Sequence, residues 1–338
     1  MSLYAAIDLH SNNGVLAVID EEDRVILERR LPNELPVVLK VLEPFREALV
    51  GIAVESTYNW YWLVDGLLDH GHRPRLVNTA AVPQYAGLKF GNDHSDARHL
   101  AQLMRLKILP EGYIYPRQQR AVRDLLRQRF RLVQQSTRLI HGVQCAWSRR
   151  TGTRLGVDTL RALSEEELMR VLIDPCERLA VQSQIAVWKV LQQQVRQVEK
   201  AVLAQLDEVP ALRAVQTTPG IGRVLGATIV LESGPIERFA SVGDYASYAR
   251  MVQSIRLSNG KPKGKGNVRC GNRYLAWAYM EAANFAIRYN PEAARWYQRK
   301  LAKKPLVLAR KALAHKLARA CYFLMRDGGT FDSARLFG

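Results

Sequence analysis

Four acidic side chains stand where they could share divalent cations: Asp8, Glu55, Asp93 and Asp96. Asp8 ends the apolar run Leu3-Tyr4-Ala5-Ala6-Ile7, and Glu55 ends a second, Gly51-Ile52-Ala53-Val54. Short apolar runs bounded by turn signals read as buried strands, and open α/β sheets keep their chemistry at the carboxyl ends of such strands. Asp93 and Asp96 lie three apart at the expected start of a helix, a spacing that puts both on one face. Carboxylates gathered in one place repel unless cations neutralise them, and oxygen ligands are what Mg²⁺ prefers. Two such ions ~3.5–4 Å apart activate an attacking oxygen and stabilise a leaving one. The quartet therefore reads as a Mg²⁺ site for phosphodiester chemistry. Singly, each acid has a plainer reading: a strand-end acid facing solvent, or an Asp that caps a helix and favours its dipole.

Two further stretches suit a polyanion. Thr217-Thr218-Pro219-Gly220-Ile221-Gly222, followed by an apolar helix from Val224, has the form of a helix-hairpin-helix loop. Gly220 and Gly222 would let the backbone approach a phosphate, and the next helix would offer it free N–H groups. Such contact ignores base sequence. Ser258-Asn259-Gly260 reads first as a turn. Around it Lys261, Lys263, Lys265, Arg269 and Arg273 form a basic, glycine-spaced stretch running into a helix, with Tyr274 and Trp277 available for stacking. The histidines form no triad or ligand pair at useful spacing; His10, two residues past Asp8, and His94 and His99 flank the proposed site.

Those side chains need a frame. Residues 3–9, 13–20 and 24–30 predict three strands joined by tight turns, then come a helix near 35–47 and a strand at 50–55. A helix at 58–70, a strand at 74–78 and helices near 80–87 and 94–108 follow. Three antiparallel strands followed by alternating helices and strands describe a ribonuclease-H-like mixed sheet, in which strands one and four are neighbours. Residues 116–150 and about 178–209 each carry apolar residues every seven, joined by a loop rich in Gly, Thr and Glu. Heptads of this kind predict a coiled coil, antiparallel or between copies, or two helices of one bundle. From 208 the chain reads as helical and basic, with one irregular stretch at 251–272. The fold class is thus α/β + α: mixed sheet with helices, long coiled-coil helices, and a mainly helical C-terminal domain with helix-hairpin-helix.

Charge follows the same division. Of 49 Lys+Arg and 32 Asp+Glu, residues 1–110 hold 11 basic and 14 acidic. Residues 111–207 hold 16 and 10, and residues 208–338 hold 22 and 8. An acidic catalytic part joined to basic partners implies a polyanion gripped by one and cut by the other, with steep salt dependence. Cys145, Cys176, Cys270 and Cys321 are far apart in sequence, so neither a zinc site nor a disulfide framework is expected. No apolar run approaches the roughly 20 residues of a membrane span. A cytoplasmic protein without membrane attachment is the expectation.

The chain resembles the DEDD-type insertion-sequence transposases, bridge-RNA-guided DNA recombinases that include pilin-gene invertases. The resemblance rests on Ala6-Ile7-Asp8, Val54-Glu55-Ser56-Thr57, Asp93-His94-Ser95-Asp96-Ala97, Pro219-Gly220-Ile221-Gly222, Ser258-Asn259-Gly260 and Gly271-Asn272-Arg273-Tyr274-Leu275, in the family's order. Asn92 stands where the family usually has Thr, Met251-Val252-Gln253 replaces a Gly/Pro-bearing approach to the serine, and Ala276-Trp277 fills positions commonly basic. The resemblance implies a RuvC-like catalytic domain over 1–112, a coiled-coil connection over 113–207 and a C-terminal transposase domain over 208–338. It implies that Asp8, Glu55, Asp93 and Asp96 bind Mg²⁺ and that Ser258 attacks a DNA phosphate and holds the cut strand covalently. It also implies DNA partners at donor and target sites, a guide (bridge) RNA, and a homo-oligomer, dimer or tetramer, in which the two sites meet across protomers. A serine lacking a neighbouring base needs activation.

Three other readings compete with the recombinase. A RuvC-like nuclease or junction resolvase would use water and leave Ser258 structural. A sugar-kinase-like ATPase would use Asp8 to Gly14 as a phosphate loop, but the chain lacks that superfold's second Asp-Gly-x-Gly loop. A non-enzymatic nucleic-acid binder would need none of the acids.

Overall fold

A computed structural model of the chain describes the backbone of residues 1–82, 93–253, 255–265 and 270–338, and the side chains of all of these but 256, 257 and 265. It divides into two compact units, Met1–Ile114 with Ser254–Cys270, and Tyr115–Gln253 with Gly271–Gly338.

The first unit is built on a five-stranded sheet. Its strands are β1 (Leu3–Leu9), β2 (Asn13–Ile19), β3 (Val25–Pro32), β4 (Leu49–Glu55) and β5 (Pro74–Val77), in the order β3-β2-β1-β4-β5. β1 runs antiparallel to β2 and parallel to β4, and β4 runs parallel to β5. Helix α1 (Leu35–Leu42) precedes β4, α2 (Tyr61–Asp69) joins β4 to β5, and α3 (Asp93–Arg105) follows β5. β1 is almost wholly buried, as a strand covered on both faces must be. Period-two alternation sorts its side chains: Leu3, Ala5, Ile7 and Leu9 pack with Leu42, Leu63 and Leu67 of α1 and α2, while Ala6 packs with Leu100, Ala101 and Met104 of α3. The α3 face is paved with small residues. Ala6, Ala17 and Ala53 meet Ala97 and Ala101, so the helix can lie close to the sheet.

The second unit is helical. Two long helices, α4 (Arg117–Thr151) and α7 (Pro175–Ala204), pair within the chain. Arg129 bonds Glu199 at 2.8 Å, Gln192 bonds Ser136 at 2.8 Å and Arg150 pairs with Glu177, so partners descend on one helix as they ascend on the other. The pair is therefore antiparallel. The segment between them is not the expected loop. It holds α5 (Val157–Ala162) and α6 (Glu165–Val171), the latter started by a capping box between Ser164 and Glu167. Leu160, Leu168 and Leu172 bury against Val143, Val181 and Trp188, which is why this short connection folds.

The remaining helices are α8 (Pro210–Gln216), α9 (Arg223–Ser233), α10 (Val242–Tyr248), α11 (Arg273–Tyr289), α12 (Pro291–Leu301), α13 (Leu306–Asp327) and α14 (Ser333–Phe337). α11 and α13 form the centre through Leu275, Ala278, Tyr279, Ala282, Leu313 and Leu317. The stretch expected to be irregular contains a hairpin, β6 (Ile255–Ser258) and β7 (Lys261–Lys265), whose segment belongs to the first unit. Asn259 at φ 50° and Gly260 at φ 71° turn its chain, the left-handed pair that an Asn-Gly hairpin turn demands. The helix expected near 80–87 lies largely outside the described residues; a short 3₁₀ turn covers Thr79–Ala81. The arginines of α4 do not all face solvent. Arg120 and Arg123 are buried, the latter with its guanidinium 3.7 Å from the centre of the Tyr115 ring.

Candidate active site

Register brings the first two acids together. Ala6 pairs with Ala53 and Ile7 with Val54 across β1 and β4, so Asp8 and Glu55 follow side by side on the face covered by α3. On the other side of β1, Asp8 pairs with Val15 of β2, and Val15 pairs with Arg30 of β3. Glu55, Asp8, Val15 and Arg30 thus form one row across four strands. The first turn of α3 brings Asp93 and Asp96 to this row.

Asp8 is buried, and His10 reaches back over it. The Nε2 of His10 lies 3.5 Å from Asp8 Oδ2 and 3.2 Å from Asp93 Oδ2, touching both without an aligned hydrogen bond to either. The backbone of His10 is fixed: its N–H donates to Asn13, and its carbonyl accepts from Asn33 and Asn59 at 3.1 and 2.9 Å. Asp8, His10 and Asp93 offer ligand atoms all within 4.8 Å of one another.

The four carboxyls are unevenly compensated. Burial, followed by a hydrogen bond to Asp8 and the charges of Asp8 and Asp96, pushes Glu55 up to about 8. Burial, then the charges of Asp8 and Asp93, also raises Asp96. Asp93 goes the other way, because Arg30 donates a hydrogen bond to it and His10 adds a smaller contribution. One side of the site is thus neutralised by Arg30, while the Glu55–Asp8–Asp96 side repels itself. Clustered carboxylate oxygens with one imidazole are a donor set that fits a hard divalent cation.

Comparison with known proteins decides the family. A DEDD transposase model, described as "Transposase", matches residues 5–146, which include all four acids. A second, "Transposase IS116/IS110/IS902 family", matches residues 212–298, which include Gly220, Gly222 and Ser258. The chain belongs to the IS116/IS110/IS902 transposase family. Curated relatives agree with that placement along nearly the whole length. A Pseudomonas aeruginosa protein named as a family 20 transposase is 21% identical over 325 residues, 91% of this chain and 92% of its own. The transposase for insertion sequence element IS1328 of Yersinia enterocolitica is 21% identical over 293 residues, 83% of this chain and 85% of its own.

The other expected contact residues of the transposase divide into three groups. Ser258, Lys261 and Lys263 are exposed on the β6–β7 hairpin, and Arg273 is exposed at the start of α11. Arg269 and the side chain of Lys265 lie outside the described residues. Gly220 has a packing duty: at φ 82°, a Cβ there would stand 2.2 Å from the carbonyl oxygen of Ala282 in α11. Gly222 is open, with nothing within 4 Å of a Cβ, and it precedes α9 without a side-chain cap.

The expected stacking aromatics are a correction. Tyr274 is buried, and it and Trp277 pack edge-on against Phe130 of α4, with ring centres 5.3 and 5.1 Å away. Asn272 is likewise structural: its side chain accepts from the N–H groups of Tyr274 and Leu275 and donates to Glu232 at 2.7 Å. Glu232, almost fully buried, is gripped on both oxygens by Arg127 at 2.6 and 2.7 Å. Much of the Gly-Asn-Arg-Tyr-Leu motif therefore serves the core of the helical unit. Arg30, Arg127 and Glu232 were not legible as site or network members, because only strand register and helix packing bring them to their partners.

Proposed function

We propose that this transposase is a site-specific DNA recombinase that cuts and rejoins strands at one metal-assisted site formed by Asp8, Glu55, Asp93 and Asp96. The row that sets Glu55 beside Asp8 beneath the first turn of α3 carries this reading. Asp8, Glu55, Asp96 and Asp93 would hold Mg²⁺, with His10 beside Asp8 and Asp93. Bound there, the cation supplies charge neutralisation and Lewis acidity at the phosphate. The protein's own part is to fix the carboxyls by strand register, to bury Asp8 away from competing water and to keep Glu55 and Asp96 in want of positive charge.

Ser258 is proposed as the nucleophile. Its Oγ forms a bond to phosphorus as one bridging P–O bond of the strand breaks. The departing oxygen ends as a hydroxyl carrying the proton that the serine gave up. The strand is then held as a phosphoserine ester until a DNA hydroxyl attacks the same phosphorus and releases the serine. Exposure of Ser258 at a hairpin tip, and membership of that hairpin in the unit that carries the four acids, support this assignment. Lys261, Lys263, Lys265, Arg269 and Arg273 are proposed to hold the backbone around it, with the Gly220–Gly222 helix-hairpin-helix turn gripping phosphates through the start of α9. Donor and target DNA, a bridge RNA, a dimer or tetramer with the long helices as a coiled coil, and a cytoplasmic setting complete the proposal. In it residues 1–112, 113–207 and 208–338 act as catalytic, connecting and DNA-handling parts. Among the described residues no helix is long and apolar enough to cross a membrane.

Two substitutions test the reading. Asp8→Asn is expected to abolish strand cleavage, by about 10²-fold or more, while DNA binding survives. Ser258→Ala is expected to remove the covalent protein–DNA adduct, detected as a denaturation-resistant band, and recombination with it. Recombination undiminished in Ser258→Ala would instead establish the water-using nuclease or resolvase.

A further inference from the structure

The row carrying the acids ends in a cation. Arg30 stands on the α3 face of β3, in register with Val15 and through it with Asp8. Its Nη2 donates to Asp93 Oδ2 at 2.6 Å, and its Nη1 donates to Asn13 Oδ1 at 2.6 Å. The Asp93 oxygen it holds is the one that His10 approaches at 3.2 Å. Of the four carboxylates, Asp93 thus has a full positive charge bonded to an oxygen that faces the site.

We infer that Arg30 is a built-in counter-ion that competes with divalent cations for Asp93, holding its carboxylate in the cation-free protein and yielding that oxygen when a cation binds. The inference rests on the reading of Asp93 as a metal ligand and adds a residue which that reading does not contain. Guanidinium does not deprotonate in proteins, so the competition ends only by displacement. Asn13 keeps the freed fork beside the site. A planar fork suits two oxygens of a phosphate, which makes the scissile phosphodiester its next partner. Arg30 is then a gate on cation loading in the free protein and an anchor for DNA in the loaded one.

A merely structural clamp predicts something else, and β3 supplies the comparison. Glu28, two residues along the same face, lies 2.6 Å from His94 Nδ1 and 2.9 Å from Arg98 Nε. It fastens the start of α3 without touching the acids. If tethering α3 were the whole role of Arg30, loss of either tether would loosen the site and weaken cation binding.

The experiment titrates Mn²⁺ into the cation-free full-length protein, without nucleic acid, by electron paramagnetic resonance or calorimetry. Removing a positive charge at contact distance from a ligand oxygen should tighten binding on the order of tenfold in Arg30→Gln. Glu28→Gln should leave it within about twofold, because its charge is balanced by its own partners. Arg30→Lys, which keeps the charge but loses the fork, should tighten binding by roughly threefold and covers the case where Arg30→Gln does not fold. With DNA present, Arg30→Gln should show weaker binding, opposite in direction to its effect on Mn²⁺. Mn²⁺ binding that is unchanged or weaker in both Arg30 variants, while Asp8→Asn weakens it, overturns this inference alone. Binding indifferent to Asp8→Asn as well overturns the metal reading beneath it.

Discussion

Glu55 is the acid of the proposed site whose surroundings most disfavour its charged form. Its carboxyl ends a buried strand next to Asp8, and burial with two acidic neighbours raises it from the usual carboxylate range to about 8. A raised acid binds its proton more tightly in the folded chain than in the unfolded one. Stability in the absence of divalent cations should therefore be greatest at low pH with respect to this group and should fall as pH rises from about 4.5 to about 8. Because Glu55 is only partly buried, the loss should be on the order of 1–2 kcal/mol after solvent screening. Thermal melts in EDTA from pH 5 to 9 check this: Glu55→Gln should flatten the decline relative to the native chain, and Mg²⁺ should restore stability above pH 7. A decline that is the same in Glu55→Gln assigns it to other groups. That Asp8 and Glu55 end buried strands was legible in the apolar runs before them. The contribution of Arg30 was not, since a charged residue on an edge strand looks like any solvated one until the register Val15–Arg30 is known.

At the scale of elements, the same sequence signal can carry two duties. Pro219-Gly220-Ile221-Gly222 reads as one phosphate-binding loop, yet its glycines meet different surroundings. Gly220 sits in the left-handed region against the α11 backbone at Ala282 and Ala286, whereas Gly222 opens the uncapped start of α9. Gly220→Ala should thus cost more than about 2 kcal/mol by combining backbone strain with a clash. Gly222→Ala should change stability by less than about 1 kcal/mol and lower DNA affinity severalfold, because a methyl group there would stand in the way of the phosphate contact proposed for this turn. Chemical denaturation beside a DNA-binding titration of both variants separates the duties. A Gly222→Ala protein that binds DNA as tightly as the native chain would remove α9 from the interface. The heptads of α4 and α7 predicted long helices and left their partner open; the cross-pairs Arg129–Glu199 and Arg150–Glu177 show the partner to be within the chain. Heptad spacing states which face is apolar but not which helix covers it. For the same reason Tyr274 and Trp277 passed as stacking residues: sequence gives their position on α11 but not that Phe130 of α4 covers them.

Across the whole molecule, the two compact units follow the charge boundary near residue 110 except at the basic hairpin, which joins the first. Residues 1–110, which hold the five-stranded sheet, carry 14 acidic against 11 basic side chains, and the rest of the chain carries 18 against 38. The neighbourhood of β1 and β4 and the helix that closes over them were legible in the pattern of short apolar runs and the helices between them, whereas the full strand order needed the register. The hairpin at 255–265 was not legible as strands, since Ile255-Arg256-Leu257-Ser258 alternates over only four residues and Lys261 to Lys265 offers no apolar face to bury. Its segment joins the first unit although its chain neighbours on both sides belong to the second. The proposed chemistry requires the acids to form one cation site, and anomalous diffraction from Mn²⁺-soaked crystals measures that directly. The expected result is a peak about 2–2.3 Å from oxygens of Asp8 and Glu55, with Asp96 or Asp93 completing it, that disappears in Asp8→Asn. Ordered crystals with Mn²⁺ bound elsewhere, and none at Asp8, would contradict it.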